Sequence, residues 1–335
     1  MMYGFRTAQH VRNIEMGSGE VLIAVNDVSR YYGSYCAVNN VSFTIERGEV
    51  LGFLGPNGAG KTTTMQIISG VLAPSAGTVS IVGVDIIDDP RTAKKHIGFL
   101  PEQPPLYLDM TVNEYLYYSA RLRGIDRKKT STAIDNCKQR CGLKDVGHRL
   151  LKNLSKGYRQ RVGIAQAIIH TPAVIILDEP TSGLDPIQIR EIRELIRELG
   201  HDHSVILSTH ILPEVQTVCN RVLIINNGQL VLDQHLGKLA EQGRDKFIRV
   251  GFKQPPAAET LVEITGVKSV EPVSAQRFLI SVDPASSALD AIMQRSINSC
   301  WGLFELVPDT DSLEEIFMRL TSGASADPVQ ENEAA

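Results

Sequence analysis

Cysteine is sparse in this sequence, and neither net charge nor long apolar runs dominate it. Five cysteines are scattered over 335 residues, and an odd, sparse count favours reduced thiols in a cytoplasm over a disulfide framework. The net charge of −4 gives no general reason to expect nucleic-acid binding. No run of eighteen apolar residues occurs, so we expect no membrane-spanning helix. Residues 1–20 have no apolar core, so we expect no signal peptide.

What is present is an ordinary globular composition. The chain has 43% hydrophobic and 21% charged residues, and its length is sufficient for two domains and a large core. If the protein works at a membrane, we expect another chain to supply the membrane part.

The most informative stretch is a glycine-rich loop that fits the pattern G-x-x-x-x-G-K-[ST]. A short apolar run at residues 49–54 precedes it and predicts a buried strand, and residues 63–69 predict a helix. Glycines allow successive backbone N–H groups to curl around an anion, and the helix adds its positive end. The predicted phosphate-binding residues are Gly55, Pro56, Asn57, Gly58, Ala59, Gly60, Lys61, Thr62 and Thr63. Lys61 would contact the phosphates, and the Thr62 hydroxyl would ligate Mg²⁺.

A second chemical signal is an acidic pair at the end of a predicted buried strand, residues 173–177. Asp178 is placed to hold Mg²⁺, directly or through water. Glu179 is placed to orient and activate an attacking water. Such a pair is common by itself, but behind a phosphate-binding loop it predicts a nucleotide hydrolase.

A third motif, Leu154-Ser155-Lys156-Gly157-Tyr158-Arg159-Gln160-Arg161, narrows the class. It resembles the Leu-Ser-Gly-Gly-Gln signature of ATP-binding cassette (ABC) ATPases and lies just before the acidic strand, as in that family. Residues 182–185 resemble the D-loop, which ends at Asp185, and residues 208–210 resemble the segment that carries the switch histidine, His210. Tyr32, before Gly33, resembles the aromatic residue that stacks on adenine.

The resemblance implies an ATPase that binds ATP and Mg²⁺ and works as a head-to-tail homodimer, or a pseudo-symmetric dimer of such subunits. Ser155 and Gly157 of one subunit would close on ATP held by the other subunit's loop. His210 would contact the γ-phosphate, with Glu179 as the catalytic carboxylate. Asp185 is also a good helix N-cap before a proline, and both roles are compatible.

Several assignments stay open at the sequence level. Tyr31 is adjacent to Tyr32, and either tyrosine could pack in a sheet. His210 could by itself be a capping or core histidine. His201 and His203 suggest a metal pair, but without a third ligand we expect a solvated loop. The signature carries Lys156 and Tyr158 where the family has glycine and glutamine, and the effect of Lys156 on rate is undetermined.

The family's Q-loop glutamine, which approaches Mg²⁺, has two candidates here. Counted from residues 97–98, the family's glutamine position corresponds to Glu102 in this sequence. The neighbouring residue, Gln103, is a glutamine. We put forward Gln103 as the metal-site residue, with Glu102 as the alternative.

Within the family, the chain is similar to ATP-binding subunits of bacterial type-2 ABC exporters, the closest likeness being to the gliding-motility and copper-maturation kind. That similarity implies a separate integral membrane subunit and a position on the inner face of the cell membrane, with no nucleic acid. The alternatives are a soluble ABC ATPase acting on DNA or ribosomes, and a non-transport regulator that binds ATP. Glu179 argues against the regulator, and the lack of a second cassette argues against the soluble class.

The predicted fold class is α/β, a P-loop ABC ATPase core (residues 21–235) with a helical subdomain at about residues 104–153. Strands alternating with helices predict a doubly wound sheet, and Thr111 with Glu114 predicts a capping box at the start of the subdomain. Residues 236–321 predict a small α+β domain with a strand-helix-strand-strand-helix-strand order, which is ferredoxin-like. We expect residues 1–20 to be an extension, with translation starting at Met16, and residues 322–335 to be a disordered tail.

Overall fold

The computed structural model describes residues 19–238, 247–283, 287–309 and 313–322. The predicted N-terminal extension with its start at Met16 and the predicted tail lie outside these residues, except for residues 19–20 of the extension and residue 322 of the tail, which is the last residue of a helix. Within the described ranges, no helix combines the length and the apolar character that crossing a bilayer requires.

The strands of the described ranges are, in chain order, β1 (Val21–Tyr32), β2 (Tyr35–Glu46), β3 (Val50–Leu54), β4 (Ala76–Ile81), β5 (Val84–Asp85), β6 (Ile97–Leu100), β7 (Val174–Asp178), β8 (Ser204–Thr209), β9 (Arg221–Asn226), β10 (Gln229–His235), β11 (Phe247–Phe252), β12 (Val267–Ser274), β13 (Arg277–Val282) and β14 (Leu303–Asp309).

The α-helices of the described ranges are α1 (Lys61–Ile68), α2 (Pro90–Ala93), α3 (Val112–Leu122), α4 (Arg127–Arg140), α5 (Lys156–Ile168), α6 (Pro186–Leu199), α7 (Leu212–Val218), α8 (Ala258–Val262), α9 (Ala288–Asn298) and α10 (Leu313–Ser322). Short 3₁₀ turns occur at Lys94–His96, Lys144–Val146 and Leu151–Asn153.

The core is a six-stranded sheet with strand order β10-β9-β3-β8-β7-β6. All neighbouring strands pair in parallel except the β9–β10 hairpin. Every residue of β3, β7 and β8 is buried, as expected for parallel strands covered on both faces. The carboxyl ends of these strands meet at one edge of the sheet, and this edge carries the predicted site.

The first strands do not belong to this core sheet. β1, β2, β4 and β5 form a separate antiparallel sheet of order β2-β1-β4-β5. β2 shows the reason, because exposed or half-buried positions interrupt its buried ones. Such a half-buried strand suits an antiparallel sheet with one face towards the core. Its core face contacts β3 through Phe43 and Phe53, whose ring centroids are 5.8 Å apart.

The helical subdomain consists of α3 and α4, packed on α5. The capping box predicted at its start is confirmed: the Thr111 N–H donates to Glu114 Oε2 at 2.8 Å, and the Glu114 N–H donates to Thr111 Oγ1 at 3.2 Å. Leu116 of α3, Ile134 of α4 and Val162 of α5 belong to one buried cluster. This cluster also contains Leu177 and Leu207 of the core sheet, so the subdomain and the core share it.

The C-terminal part contains the predicted strand-helix-strand-strand-helix-strand order. Its antiparallel sheet has the order β12-β13-β11-β14, and α8 and α9 cover one face around Val250, Phe252 and Ile280. The last helix, α10, returns to the ATPase core. There Leu313 and Phe317 pack with Leu212 and Val215 of α7.

Candidate functional site

The phosphate-binding loop connects the carboxyl end of β3 to α1 and has a backbone that few residues except glycine could adopt. Gly60 has a φ of 104°, and a Cβ there would lie 2.5 Å from the Ala37 carbonyl oxygen. A Cβ on Gly55 would lie 2.5 Å from the Ile225 carbonyl oxygen. The loop therefore packs closely against the backbone of residues 37 and 225.

The first turn of α1 is left available to an anion. Gly60 occupies the N-cap position and provides no side-chain cap, so the orphan N–H groups of this helix end are not satisfied by a side chain. Lys61 is nearly fully buried, and its Nζ donates to the Gly55 and Pro56 carbonyls at 2.9 and 3.2 Å. The loop thus holds the ammonium group beside the helix N-terminus, a geometry suited to phosphate oxygens.

The acidic pair lies at the carboxyl end of β7, one strand away from β8 and two from β3. Asp178 is fully buried, and neither of its oxygens has a hydrogen-bond partner of good geometry among the described residues. Burial raises the pKa of the Asp178 carboxyl, and the Ser208 and Thr62 hydroxyls lower the pKa less than burial raises it. An unpartnered buried carboxylate is costly, and a cation held between Asp178 and Thr62 would remove that cost.

Glu179 makes the central contacts of the site. Its φ of 47° lies in the left-handed region, which non-glycine residues rarely occupy and which occurs preferentially at functional sites. Its Oε1 is 3.4 Å from Lys61 Nζ, and its Oε2 is 2.9 Å from His210 Nδ1. Because an ionised carboxylate only accepts hydrogen bonds, Nδ1 carries the proton in this pair. The structure therefore brings the three groups together at the ends of three different strands.

These groups line a cavity of about 360 Å³ that is open to solvent. We call it the P-loop cavity, and its lining residues are Asn57, Gly58, Gly60, Lys61, Thr62, Thr63, Glu102, Glu179, Ser182 and His210. Glu102 lies in this lining, but Gln103 does not, so the geometry favours Glu102 over the residue that the sequence analysis put forward. Both residues are exposed in the loop after β6, so the difference between them is that Glu102 is part of the lining and Gln103 is not.

Ser155, Gly157 and Asp185 lie elsewhere. They line a second cavity of about 420 Å³, together with Tyr158, Arg161, Ile187, Gln188 and Glu191. We call it the signature cavity, and it shares no lining residue with the P-loop cavity. Ser155 caps α5 by accepting from the Tyr158 N–H at 3.3 Å. Asp185 caps α6 by accepting from the Gln188 N–H at 2.9 Å.

Gly157 of α5 lies close to the Gln188 side chain of α6 in the signature cavity. A Cβ there would lie 2.7 Å from Gln188 Cδ of α6, so a side chain at this position would displace Gln188. Two capped helix N-termini, at α5 and α6, thus face one cavity, and helix N-termini favour anions. The lining also contains a cation and a carboxylate, Arg161 and Glu191, which are paired with each other at 2.7 Å.

Tyr32 lies at the end of β1 and is not among the residues that line the P-loop cavity. Its ring is about half exposed, and the Arg30 guanidinium stacks over it at 4.9 Å from the ring centroid. Tyr31 is equally exposed, so exposure does not distinguish the two tyrosines. The adenine contact of Tyr32 stays a prediction.

Sequence reasoning missed one buried carboxylate behind the P-loop cavity, Glu214 in the first turn of α7. Its side chain is fully buried. A glutamate in the first turn of a helix is a common pattern, because it complements the helix dipole. The local sequence therefore carries no signal that distinguishes Glu214 from an exposed residue.

Comparison with known proteins identifies related chains. A family model described as ABC transporter matches residues 38–182. The chain is 31% identical over 301 residues to the uncharacterized ABC transporter ATP-binding protein YxlF of Bacillus subtilis (strain 168), covering 89% of this chain and 99% of YxlF. It is 35% identical over 244 residues to the bacitracin transport ATP-binding protein BcrA of Bacillus licheniformis, covering 72% of this chain and 78% of BcrA. A solved ATP-binding subunit of an ABC transporter is similar with a TM-score of 0.60 and 32% identity, over 66% of this chain and 92% of that one.

Proposed function

Because this chain belongs to the ABC transporter family and is an ATP-binding subunit that hydrolyses ATP, as its sequence predicted, we propose that it drives export through a separate membrane subunit. Two copies would close head to tail around ATP. The observation that carries the proposal is the division of one chain into two separate cavities. The P-loop cavity contains Lys61, Glu179 and His210, whereas the signature cavity has two helix N-termini, and the cation in its lining, Arg161, is paired with Glu191 at 2.7 Å.

Each cavity supplies what the other lacks. In a head-to-tail dimer, the P-loop cavity of one copy would meet the signature cavity of the other. ATP bound to Lys61 and the N–H groups of α1 would then receive a second set of donors from the partner, at the N-terminus of α5. Each of the two nucleotides would bridge the copies, and its hydrolysis would release them.

Within the P-loop cavity, the side chains have separate tasks. Glu179 would accept a proton from the attacking water. His210, hydrogen-bonded to Glu179 at 2.9 Å, fixes the orientation of that carboxylate and is close enough to the cavity to contact a terminal phosphate. Lys61 is paired with Glu179 at 3.4 Å and would turn to the phosphate oxygens when nucleotide binds. This exchange would release Glu179 for the water.

The residues present fit a Mg²⁺ ion. Asp178 offers two unpartnered carboxylate oxygens, and the Thr62 hydroxyl is near enough to lower the pKa of that carboxyl. Oxygen ligands of this kind are what Mg²⁺ prefers. Glu102 is the further candidate from the loop after β6, since it lines the same cavity. The ion would neutralise phosphate charge during the reaction.

The first experiment tests the site and the dimer together. Glu179→Gln should bind ATP, lose about 10²–10³ in turnover, and form an ATP-dependent dimer detectable by gel filtration. Lys61→Ala should bind no nucleotide and stay monomeric. Wild-type turnover in Glu179→Gln would overturn the catalytic assignment.

A second substitution tests the role of the signature cavity. Ser155→Asp keeps a good N-cap on α5 but places a negative charge where the partner's phosphate would lie. In the Glu179→Gln background it should leave ATP binding intact and abolish dimerisation. If the double variant dimerises as well as Glu179→Gln alone, the signature cavity is not part of the interface.

The contact with the membrane subunit is proposed at the segment that joins the core to the helical subdomain. Tyr107 is 53% exposed, and its ring packs edge-on against Tyr118 at 5.4 Å. Tyr118 lines a groove of about 820 Å³ between α3 and α4, with Met110, Tyr117 and Ile134. Exposed aromatic residues beside an apolar groove suit a short amphipathic helix of a partner, which would place this chain on the inner face of the membrane.

Tyr107→Ala should weaken association with the membrane subunit by about 2 kcal/mol or more, measured by copurification or direct binding, while the isolated chain still binds ATP. Leu106 and Met110 pack against the core cluster and are less suitable targets, because their loss would disturb the fold. Ile297→Ala, at a 75% exposed position of α9, serves as the control. Equal loss in both variants, or none in either, would place the partner elsewhere.

A further inference from the structure

Glu214 lies behind the P-loop cavity and does not line it, yet it is among the most buried charged side chains of the core. Its exposed fraction is 0%, although it belongs to α7, a helix of seven residues that begins two positions after His210. A buried carboxylate is costly unless hydrogen bonds and countercharges satisfy it. The partners of Glu214 therefore indicate why the chain keeps it there.

The two carboxylate oxygens of Glu214 accept hydrogen bonds from the loop after β7 and from the last residue of β8. Thr181 Oγ1 donates to Glu214 Oε1 at 2.5 Å, and Thr209 Oγ1 donates to Glu214 Oε2 at 2.8 Å. Both threonines are almost completely buried. Arg193 of α6 adds a guanidinium 3.6 Å from Oε1, so the carboxylate also has a countercharge.

These two threonines are neighbours of the reacting groups. Thr181 lies two residues after Glu179 and directly before Ser182, which lines the P-loop cavity. Thr209 directly precedes His210, and its hydroxyl also accepts from the Ile211 N–H at 3.1 Å. Glu214 thus bonds at once to the loop that carries Glu179 and to the last residue of β8, where the loop that carries His210 begins. Inside the cavity, Glu179 and His210 join these two loops through their 2.9 Å pair.

We propose that Glu214 is a positioning residue for ATP hydrolysis, which sets the distance between Glu179 and His210 by holding both loops on one carboxylate. The inference rests on the proposed roles of Glu179 and His210. A carboxylate is suited to the task because it offers acceptor sites on two oxygens and donates nothing. The hydroxyls of Thr181 and Thr209 can therefore bind it side by side. Small displacements of a catalytic group lower turnover strongly, while binding contacts elsewhere persist.

The test uses Glu214→Gln in the full chain. The amide keeps the size of the side chain but has a single acceptor oxygen, so only one of the two threonines can donate to it. We expect kcat to fall about tenfold with KM for ATP changed less than about twofold, the pattern of a group that acts in the transition state. Glu214→Asp, which retains two acceptor oxygens, should recover part of the loss. Glu194→Gln, at an exposed ion pair on α6, should leave both constants unchanged.

A double-mutant cycle separates positioning from a general effect on the fold. If Glu214 acts through the Glu179–His210 pair, Glu214→Gln should lower kcat much less in a His210→Ala background than in the wild type, because neighbours that act as a unit are not additive. If the kcat losses of the two single variants simply multiply in the double variant, the inference is overturned. It is also overturned if Glu214→Gln keeps the wild-type kcat. If Glu179→Gln also kept wild-type turnover, the proposed site itself would fail. A failure confined to the Glu214 variants would reject the positioning role alone.

Discussion

The two ends of the core strands differ in how their buried polar side chains are bonded. At the amino edge, formed by the amino ends of β3, β8 and β9, these side chains form hydrogen bonds and ion pairs with other groups of the chain. At the carboxyl edge, formed by the carboxyl ends of β3, β7 and β8, several buried polar atoms have no partner of good geometry among the described residues. At the amino edge, Arg221 donates to Glu49 at 3.0 Å and to Asp233 at 2.6 Å. Ser204 accepts from the Gly48 N–H and donates to the Glu46 carbonyl, both at 2.9 Å.

At the carboxyl edge of the same sheet, neither the two Asp178 oxygens nor the Ser208 hydroxyl has a hydrogen-bond partner of good geometry among the described residues. The helix α1 begins there without a side-chain cap. Native proteins satisfy nearly all buried polar groups, so the unpartnered atoms of Asp178 and Ser208, on two neighbouring strands, need an explanation. Parallel sheets bind their ligands at the carboxyl edge. The difference therefore indicates that the amino edge contributes stability, and that the carboxyl edge keeps its bonding capacity for nucleotide and metal.

The largest stability effect is expected from Arg221→Ala at the amino edge. The side chain of Arg221 is 11% exposed and that of Glu49 is 7% exposed, so the substitution leaves a buried carboxylate without its countercharge. Breaking such a pair costs about 3 kcal/mol or more of unfolding free energy. ATP binding should be unaffected, because Arg221 forms no side-chain hydrogen bond or ion pair with a residue of the P-loop cavity among the described residues.

Thermal unfolding and ATP affinity, measured side by side, check this prediction. Arg190→Ala is the matched control, since Arg190 pairs with Glu194 on the exposed face of α6 and surface pairs contribute about 0–1 kcal/mol. A weaker ATP affinity with an unchanged melting temperature would contradict the assignment of Arg221 to stability.

The two edges also differ in how far the sequence predicts them. The carboxyl edge was predictable because its groups occur in contiguous motifs, at Gly55 to Thr62, at Asp178 with Glu179, and around His210. The strand-helix order of the C-terminal part was predictable because apolar periodicity is local. The ion pair of Glu49 and Arg221 joins residues 172 positions apart, and no local sequence pattern predicts such a contact.

Two further assignments failed or stayed open for the same physical reason. The sequence predicted a solvated loop at His203, but His203 is 7% exposed and its Nδ1 is 2.7 Å from the Pro172 carbonyl oxygen. Burial lowers the pKa of this imidazole, as expected for a side chain covered at the amino edge. Glu102 and Gln103 are adjacent in an irregular loop, where no periodicity tells which side chain enters the cavity. In each case the tertiary fold places the side chain, and the local sequence carries no sign of that placement.

The smaller stability effect, of opposite sign, is expected from Asp178→Asn at the carboxyl edge. Burial raises the pKa of Asp178 above its ordinary value of 3.8. A carboxyl with a raised folded-state pKa stabilises the fold when protonated, below the unfolded pKa, and this contribution is lost as the pH rises through the folded-state pKa. At neutral pH, without Mg²⁺ and nucleotide, the ionised group therefore lowers stability. Asparagine is neutral and similar in size to aspartate. The substitution removes an unpaired buried charge and should therefore add about 1–3 kcal/mol to the unfolding free energy.

Thermal unfolding as a function of pH checks this expectation. The melting temperature of Asp178→Asn should exceed that of the wild type at pH 7, and the difference should shrink as the pH approaches the ordinary pKa of 3.8. Adding Mg²⁺ and ATP should raise the melting temperature of the wild type more than that of the variant, since a ligand that binds the folded state stabilises it. Hydrolysis should be lost in the variant. A variant that melts at or below the wild type at pH 7, free of ligand, would mean that Asp178 is satisfied within the chain, and the contrast between the two edges would not hold.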